Sequence, residues 1–189
     1  MDNIVDIIKN GGLVIMPTDT VYGIIGDATN EDVIKKVFDI KKRDFNKPLL
    51  MLVNGTDMLK KYVSNVSELE HKIIDKYWPG PVTIVFNKNN CVSNLLTANQ
   101  DTVGVRYPNN ELLLDIISKI NSPLLSTSVN ISGKSNVIDL KNIEDEIRNS
   151  VDFIMDGGVC DNLASTIIKC KDDEIVVLRK GAIDIKIDE

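Results

Sequence analysis

Two segments rich in hydroxyl side chains lie where the chain is expected to leave a strand. Residues 17–23 read PTDTVYG, between an apolar run that the proline ends and a glycine that suits a turn. Residues 126–133 read STSVNISG. Ser126, Ser128 and Asn130 alternate there, so they would share one side of an extended chain. Both patterns suit a polar ligand, and both also occur where hydroxyls only cap turns or cover the outer face of a strand.

A cluster of cations, in the sequence KKRDFNKPLL of residues 41–50, stands between a predicted helix and the strand that follows it. A guanidinium group grips two phosphate oxygens at once, and lysine adds a point charge. Lys41 and Arg43 would also be stabilised by the negative end of a helix dipole. This explanation does not apply to Lys47, because it lies beyond the helix. The cluster therefore predicts either a phosphate site or a favourably charged helix end.

One arginine interrupts a strand that is otherwise apolar. Arg106 lies in TVGVRYP, residues 102–108, and a charge in such a place needs a partner. Either an acidic side chain or an anionic ligand supplies that partner, and the sequence does not choose between them. A smaller basic pair, Arg179 and Lys180, stands at the end of the last predicted strand.

The chain offers little for metal or nucleophile chemistry. His71 is its only histidine, so a histidine-rich zinc site cannot be assembled, and a Ser-His-Asp triad would need this one imidazole. The helical pattern around His71 predicts that it lies on a solvent-facing side. Cys91, Cys160 and Cys170 are far apart and lack a CxxC spacing, so we expect reduced, mostly buried thiols.

Composition excludes several classes of protein. The 189 residues, 43% hydrophobic and 26% charged, predict one globular domain over residues 1–189 rather than a disordered or disulfide-rich chain. The net charge of −6 has the wrong sign for a protein that coats a nucleic acid backbone. No apolar run reaches the roughly 18 residues of a membrane span and the N-terminus is acidic, so we expect a cytoplasmic location. The sequence also lacks the familiar phosphate-binding loops. It contains no GxGxxG motif, and the GKS of residues 133–135 lacks the first glycine of a Walker A motif.

Helical and extended patterns alternate along the whole chain, which predicts an α/β fold with a sheet flanked by helices. A short link at residues 171–173 favours an antiparallel pair near the end, so we expect a mixed sheet. Helices are predicted around residues 4–8, 30–41, 67–77, 112–117 and 140–148, and strands around 13–16, 49–53, 82–86, 102–108, 123–130, 151–156, 165–170 and 175–180.

Taken together, the motifs resemble a known family. In order along the chain they are PTDTVYG, KKRDFNKPL, WPGPVTIVF, TVGVRYP, STSVNISG, STII and LRKG. These strings, from about residue 11 to residue 181, resemble the YrdC-like threonylcarbamoyl-AMP synthases. The resemblance implies a twisted mixed β-sheet that forms an open half-barrel around a positively charged cavity. It also implies the reaction of L-threonine, bicarbonate and ATP to threonylcarbamoyl-adenylate and pyrophosphate, for threonylcarbamoyladenosine modification of tRNA.

The resemblance further implies roles for individual residues, which match the family's motifs position by position. Catalytic roles would fall to Lys41 and Arg43. Threonine would be bound by Thr20, Arg106 and Ser165. The nucleotide would be bound by Arg43, Lys47, Thr102, Ser126, Ser128, Asn130, Asn136 and Arg179.

Three positions depart from the family's commonest pattern. Leu52 stands where many members have a histidine that approaches threonine, Val129 replaces an alanine, and Lys180 replaces a proline. Leu52 is the departure that bears on selectivity for threonine. Because the sequence ends at Glu189, we expect the short, single-domain form of the family.

An adenylation of this kind needs alignment and charge neutralisation rather than a protein nucleophile. The cations and Mg²⁺ bound with ATP would neutralise the phosphates, although no magnesium cage is visible in the sequence. A downstream tRNA threonylcarbamoyl-transferase complex is the implied partner, weak RNA contact is a further expectation, and no membrane partner is expected. Two alternatives stay open: a module of the same fold that makes another carbamoyl-adenylate, as in larger hydrogenase-maturation proteins, and an RNA-binding module without threonine-specific synthesis.

Overall fold

The computed structural model describes residues 2–133, 137–172 and 174–186. In these ranges the helices are α1 (Asp2–Lys9), α2 (Glu31–Lys41), α3 (Thr56–Tyr62), α4 (Glu68–Tyr77), α5 (Glu111–Ile120) and α6 (Asp145–Arg148), with a 3₁₀ turn at Leu140–Asn142. The strands are β1 (Val14–Met16), β2 (Gly23–Asp27), β3 (Leu50–Leu52), β4 (Val82–Asn87), β5 (Thr102–Arg106), β6 (Leu124–Ser128), β7 (Phe153–Ile154), β8 (Thr166–Lys171) and β9 (Glu174–Arg179). None of the helices in the described ranges has the length and apolar content to cross a membrane.

The described strands form one mixed sheet in the order β7-β1-β2-β6-β3-β5-β4-β8-β9. Three neighbouring pairs are parallel, namely β1 with β7, β3 with β5 and β4 with β8, and the other neighbours are antiparallel. The final antiparallel pair, β8 with β9, is the one predicted from the short link between them. The predicted fold class, a twisted mixed sheet flanked by helices, is confirmed.

Side-chain caps fix where two of the helices begin. The Asn30 side chain accepts hydrogen bonds from the amides of Asp32 and Val33 at the start of α2. Ser67 and Glu70 form the predicted capping box at the start of α4. Because these side chains satisfy amides that have no partner inside the helix, both helices begin where the sequence predicts. The apolar side of α2 packs on β2, and α1 packs on β1, β2 and α5.

Strand β2 was not predicted, because GIIGD is short and contains glycine twice, which is a weak strand pattern. The sequence predicts a turn at Gly23, but this residue begins β2 and pairs with Met16 of β1. That prediction is wrong. A Cβ atom on Gly23 would lie 3.0 Å from Cδ1 of Ile25 and 3.2 Å from Oγ of Ser126. Close packing, rather than a turn conformation, therefore explains why glycine suits this position.

Two predicted elements near the end of the chain differ from the structure. Residues 140–148 form a 3₁₀ turn and then α6, rather than one helix, because the backbone is extended at Ile143 and Glu144. Ile143 is buried in this extended form. The strand predicted over 151–156 is shortened to β7, which pairs with β1 through two residues. Helix α3 has no counterpart in the prediction.

The histidine and cysteine predictions are mostly confirmed. His71 is exposed on α4, Cys160 is buried and Cys170 is half-buried. Burial raises the pKa of Cys160, and it raises the pKa of Cys170 to about 11. Cys91 is the exception, because it lies exposed in the loop after β4, with its thiol against the carbonyl of Lys61.

Candidate active site

Seven strands, β2 to β6 with β8 and β9, surround one cavity of about 350 Å³. Its polar lining among the described residues consists of Thr18, Thr20, Tyr22, Arg43, Thr83, Gln100, Thr102, Arg106, Ser126, Thr127, Ser128, Ser165 and Arg179. Its apolar lining is made by Val21, Pro48, Leu49, Leu50, Val85, Ala164, Ile167 and Leu178, with Gly23 and Gly104 between them. A hollow with an apolar wall and converging polar groups is the usual form of a small-molecule site.

Three arginines, Arg43, Arg106 and Arg179, give this cavity its electrostatic character. Burial lowers the pKa of all three guanidinium groups. Repulsion lowers the pKa of two of them further, since Arg179 acts on Arg43 and Arg106 acts on Arg179. The lining contains no carboxylate in the part of the chain that the structure describes. Cations held this close together favour the binding of an anion.

The end of α2 directs Arg43 into the cavity. Lys42 follows the helix in the left-handed conformation, with φ 47°, and the amide of Arg43 donates to the carbonyl of Phe38. The guanidinium then donates from Nε to the carbonyl of Lys47 at 3.1 Å and from Nη2 to that of Pro48 at 2.9 Å. These bonds fix Arg43 at the cavity wall without using an acidic side chain.

Arg106, at the end of β5, has an acidic partner. Its Nη1 donates to Oδ1 of Asp19 at 2.6 Å, and Oδ2 of Asp19 accepts the amide of Asn109 at 3.0 Å. Of the two partners that the sequence left open for Arg106, the structure therefore provides the acidic side chain. The Nε of Arg106 is buried without a hydrogen-bond partner among the described residues. An unpaired buried donor at a cavity wall favours an acceptor on a bound ligand.

Arg179 is held at the cavity wall by one serine. Its Nη2 donates to the carbonyl of Ser165 at 2.8 Å and to the hydroxyl of Ser165 at 3.1 Å, and its Nε donates to the same carbonyl at 3.2 Å. The Ser165 hydroxyl also shares a 2.8 Å hydrogen bond with Thr83 on β4. Thr83 was not predicted as a site residue. Its only signal is a hydroxyl inside the apolar run VTIVF.

The 17–23 turn brings hydroxyls to the cavity and also stabilises itself. Oγ1 of Thr18 lies 2.9 Å from Oγ1 of Thr20 and donates to the carbonyl of Val21 at 2.7 Å. The turn-capping explanation therefore applies to Thr18. Thr20 is buried and still lines the cavity.

The alternating segment of residues 126–130, which begins inside β6, only partly follows its simple pattern. Ser126 and Ser128 line the cavity, but Asn130 does not, because the strand ends at Ser128. The Ser128 hydroxyl donates to Oδ1 of Asn130 instead. Beneath this segment, Nζ of Lys41 donates to the main-chain carbonyls of Ser128 and Asn130. Lys41 is 1% exposed and is not part of the cavity wall.

The predicted site residues thus fall into two groups. The cavity brings together Thr20, Arg43, Thr102, Arg106, Ser126, Ser128, Ser165 and Arg179. Lys41 and Asn130 lie behind the wall, Lys47 is exposed, and Leu52 is fully buried, so none of these side chains lines the cavity. Asn136 lies outside the described residues. The apolar lining was missed because its residues read as ordinary strand core.

Known proteins match this chain over nearly its whole length. The Sua5/YciO/YrdC family profile, described as telomere recombination, matches residues 6–181. A curated relative from Methanocaldococcus jannaschii is 40% identical over 180 residues, which cover 95% of this chain and 84% of the relative. The threonylcarbamoyl-AMP synthase of Bacillus subtilis is 30% identical over 179 residues, which cover 94% of this chain and 52% of that protein. The structure of Pyrococcus abyssi Sua5 complexed with L-threonine matches with a TM-score of 0.89 and 31% identity. The match covers 95% of this chain and 53% of that protein.

The fold and the cavity define an α/β protein built around a hollow that three arginines line. The sequence match over residues 6–181 is more specific, and the chain belongs to the Sua5/YciO/YrdC family. The resemblance inferred from the ordered motifs is confirmed. The chain spans about half the length of the Bacillus subtilis and Pyrococcus abyssi relatives.

Proposed function

We propose that this protein is a threonylcarbamoyl-AMP synthase, which converts L-threonine, bicarbonate and ATP into threonylcarbamoyl-adenylate, pyrophosphate and water. The observation that carries the proposal is the convergence of three arginines and several hydroxyls on one cavity whose described lining has no carboxylate. A triphosphate suits such a concentration of positive charge. The names of two relatives agree with it, since one is a threonylcarbamoyl-AMP synthase and the other was solved with L-threonine.

The chemistry requires positioning more than it requires a reactive side chain. The amino nitrogen of threonine bonds to the carbon of bicarbonate as water leaves, and a carbamate forms. A carbamate oxygen then attacks the α-phosphorus of ATP, and the bond from that phosphorus to the pyrophosphate oxygen breaks. Charge develops on the phosphates, and cations that are already fixed in place stabilise it without further reorganisation. No histidine or cysteine is needed.

We assign the two ends of the cavity to the two substrates. Arg43 and Arg179 would bind the phosphates, because each is held through main-chain carbonyls and keeps its full positive charge for a ligand. Arg106, with Thr20, would bind threonine or its carbamate, because a guanidinium group suits a carboxylate. Ser165 accepts from Arg179, so it would bind threonine at the boundary between the two substrates. The apolar wall would accept the nucleotide base.

Magnesium would enter as part of the substrate. The cavity lining offers hydroxyl oxygens but no carboxylate within the described residues, and these residues contain no cluster of three His, Cys, Asp or Glu side chains that could hold a metal ion. The chain's own residues therefore do not fit a resident magnesium site. Magnesium bound to ATP takes most of its ligands from phosphate and water, and such a complex needs only the cations of the wall.

The product determines the kind of partner. Threonylcarbamoyl-adenylate is a mixed anhydride of a carbamate and a phosphate, so an enzyme that transfers its acyl group must consume it soon after release. A tRNA threonylcarbamoyl-transferase complex is the partner of that class that we propose, in the cytoplasm, where ATP and tRNA are available. Direct RNA contact by this chain would use the exposed Lys42 and Lys47 beside the cavity.

The test is pyrophosphate release from purified protein supplied with Mg²⁺, ATP, bicarbonate and one amino acid at a time. The proposal predicts release that needs both L-threonine and bicarbonate. Arg43→Ala should lower this rate roughly a hundredfold or more, as removal of a preorganised donor usually does. Lys42→Ala is the matched control, since its side chain is exposed and pairs with Glu146 at the surface. Absence of release with every amino acid, together with salt-sensitive RNA binding, would instead favour an RNA-binding module.

A further inference from the structure

Lys41 is the most deeply buried cation of the basic cluster. Its Nζ has three acceptors, which are the main-chain carbonyl of Ser128, the main-chain carbonyl of Asn130 at 2.6 Å and Oδ1 of Asn130 at 3.3 Å. A lysine ammonium has three N–H donors, so these acceptors can take all of them. The side chain therefore has no donor left over for a phosphate.

The main chain of Lys41 holds the same segment. Its carbonyl accepts the amide of Ser132 at 3.0 Å. Farther back, the amide of Val129 donates to the carbonyl of Tyr22 at 3.2 Å, next to the cavity. The chain leaves the sheet after Ser128, and residues 128–132 are attached to Lys41 at three main-chain groups, the carbonyls of Ser128 and Asn130 and the amide of Ser132.

The turn at the end of α2 separates the two cations of the cluster. Lys42 is left-handed, so Lys41 points behind the wall while Arg43 points into the cavity. Ser128 connects the two sides, because this residue lines the cavity while its carbonyl accepts from Lys41. Although only one residue separates them in the sequence, Lys41 is thus buried behind the wall and Arg43 lines the cavity.

We propose that Lys41 is a positioning residue, which fixes the main chain of residues 128–132 and through it the place of Ser128 in the cavity wall. Arg43, not Lys41, would make the phosphate contact. The consequence for catalysis rests on the proposed function. The structural part does not, because it concerns the protein without any ligand.

Amide hydrogen exchange of the ligand-free protein tests the structural part. Lys41→Met removes the N–H donors and keeps most of the length of the side chain. Below pH 7, where Lys41 is charged, exchange at residues 129–133 should accelerate roughly tenfold or more, because charge-assisted hydrogen bonds are lost. Arg43→Ala and Lys42→Met are the matched controls, and neither should change exchange in that segment. Peptides from β4 and β5 should be unchanged in all three variants.

Steady-state kinetics separates positioning from direct contact. Lys41→Met should lower kcat about tenfold or more with little change in the KM for ATP, whereas Arg43→Ala should raise that KM. Lys41→Gln, which keeps N–H donors at a similar reach, should recover part of both the exchange protection and kcat. Exchange at 129–133 that stays at the wild-type rate in Lys41→Met, or a KM for ATP that rises as in Arg43→Ala with kcat unchanged, would overturn the proposal.

A crystal structure of the unmodified protein with a non-hydrolysable ATP analogue covers the case in which Lys41→Met does not fold. Nζ of Lys41 should remain within hydrogen-bond distance of the carbonyls of Ser128 and Asn130. A phosphate oxygen in place of these carbonyls would contradict the proposal. If the wild-type protein shows no threonine-dependent pyrophosphate release, the proposed function fails, and the exchange result still decides the role of Lys41.

Discussion

Asp19 and Arg106 form a buried ion pair, with 2.6 Å between Oδ1 of the carboxylate and Nη1 of the guanidinium. The two side chains are 9% and 3% exposed, respectively. Because Asp19 also accepts the amide of Asn109, it joins the 17–23 turn to the end of β5 and to the loop that follows. The pair fixes the direction of Arg106, whose buried Nε has no hydrogen-bond partner among the described residues.

The first prediction concerns this pair. Asp19→Ala leaves a buried guanidinium without its counter-charge, so the free energy of unfolding should fall by about 3 kcal/mol or more. Denaturant unfolding measures it, with Asp57→Ala as the control. Asp57 pairs at 3.8 Å with Lys60 and is 99% exposed, so its loss should change stability by less than about 0.5 kcal/mol. Equal stability of the two variants would show that the buried pair does not form.

The second prediction concerns Arg179, whose Nε and Nη2 share Ser165 as a partner. A lysine has no fork with which to make these contacts together, so Arg179→Lys should lose pyrophosphate release about as fully as Arg179→Ala, roughly a hundredfold. The assay of threonine-dependent release measures it. Near wild-type turnover by Arg179→Lys would mean that only the charge matters at this position.

The third prediction concerns the floor of the cavity at Gly23. A methyl group there would lie 3.0 Å from Cδ1 of Ile25 and 3.3 Å from Cγ2 of Thr18, so Gly23→Ala should lower the free energy of unfolding by about 1–3 kcal/mol. At Gly104 the nearest atom, Cγ2 of Thr83, is 3.4 Å from the added Cβ, which is ordinary contact. Gly104→Ala should therefore be the milder change in the same unfolding measurement, and the reverse order would contradict the packing described here.

The fourth prediction concerns protons taken up with ATP. Burial, and secondarily the nearby Arg43, lower the pKa of Lys41 to about 7. At pH 8 the amine is then mostly neutral in the free protein and keeps two N–H donors. Phosphates bound at Arg43 favour the charged form and raise this pKa, so ATP binding should take up protons at pH 8.

Calorimetry of ATP binding in two buffers with different ionisation enthalpies measures this uptake. The apparent enthalpy should differ between the buffers for the wild-type protein and should differ much less for Lys41→Met. At pH 5.5 Lys41 is already charged, so the difference should shrink for the wild type as well. Equal enthalpies in both buffers at pH 8 would show that Lys41 does not change its charge.

Local signals and the family resemblance together predicted much of the fold and much of the polar lining of the cavity, but not its apolar lining. Asn30 and the capping box of Ser67 and Glu70 gave the beginnings of α2 and α4, because side-chain caps act within a few residues. Arg43 was predicted from the basic cluster at the end of a helix, and Arg106 from its place in an apolar strand. Both line the cavity.

The parts that the sequence did not predict depend on long-range geometry. Nothing in KKR shows that Lys42 adopts a left-handed conformation, which glycine usually takes, so the opposite directions of Lys41 and Arg43 could not be foreseen. Strand β2 is specified by its pairing with β1 and β6 rather than by its own pattern. The Thr83 contact with Ser165 joins residues 82 positions apart, beyond the reach of any local signal.

Transfer of labelled carbon from bicarbonate tests the central claim most directly. The protein would be incubated with ¹³C-bicarbonate, Mg²⁺, ATP and L-threonine, and the products separated and analysed by mass spectrometry. Convergence of the three arginines on one substrate-binding cavity predicts an adenylate that contains threonine and the ¹³C label, in step with pyrophosphate, and its near loss in Arg43→Ala. Pyrophosphate without a labelled threonine adenylate, or the labelled product at an unchanged rate in Arg43→Ala, would contradict it.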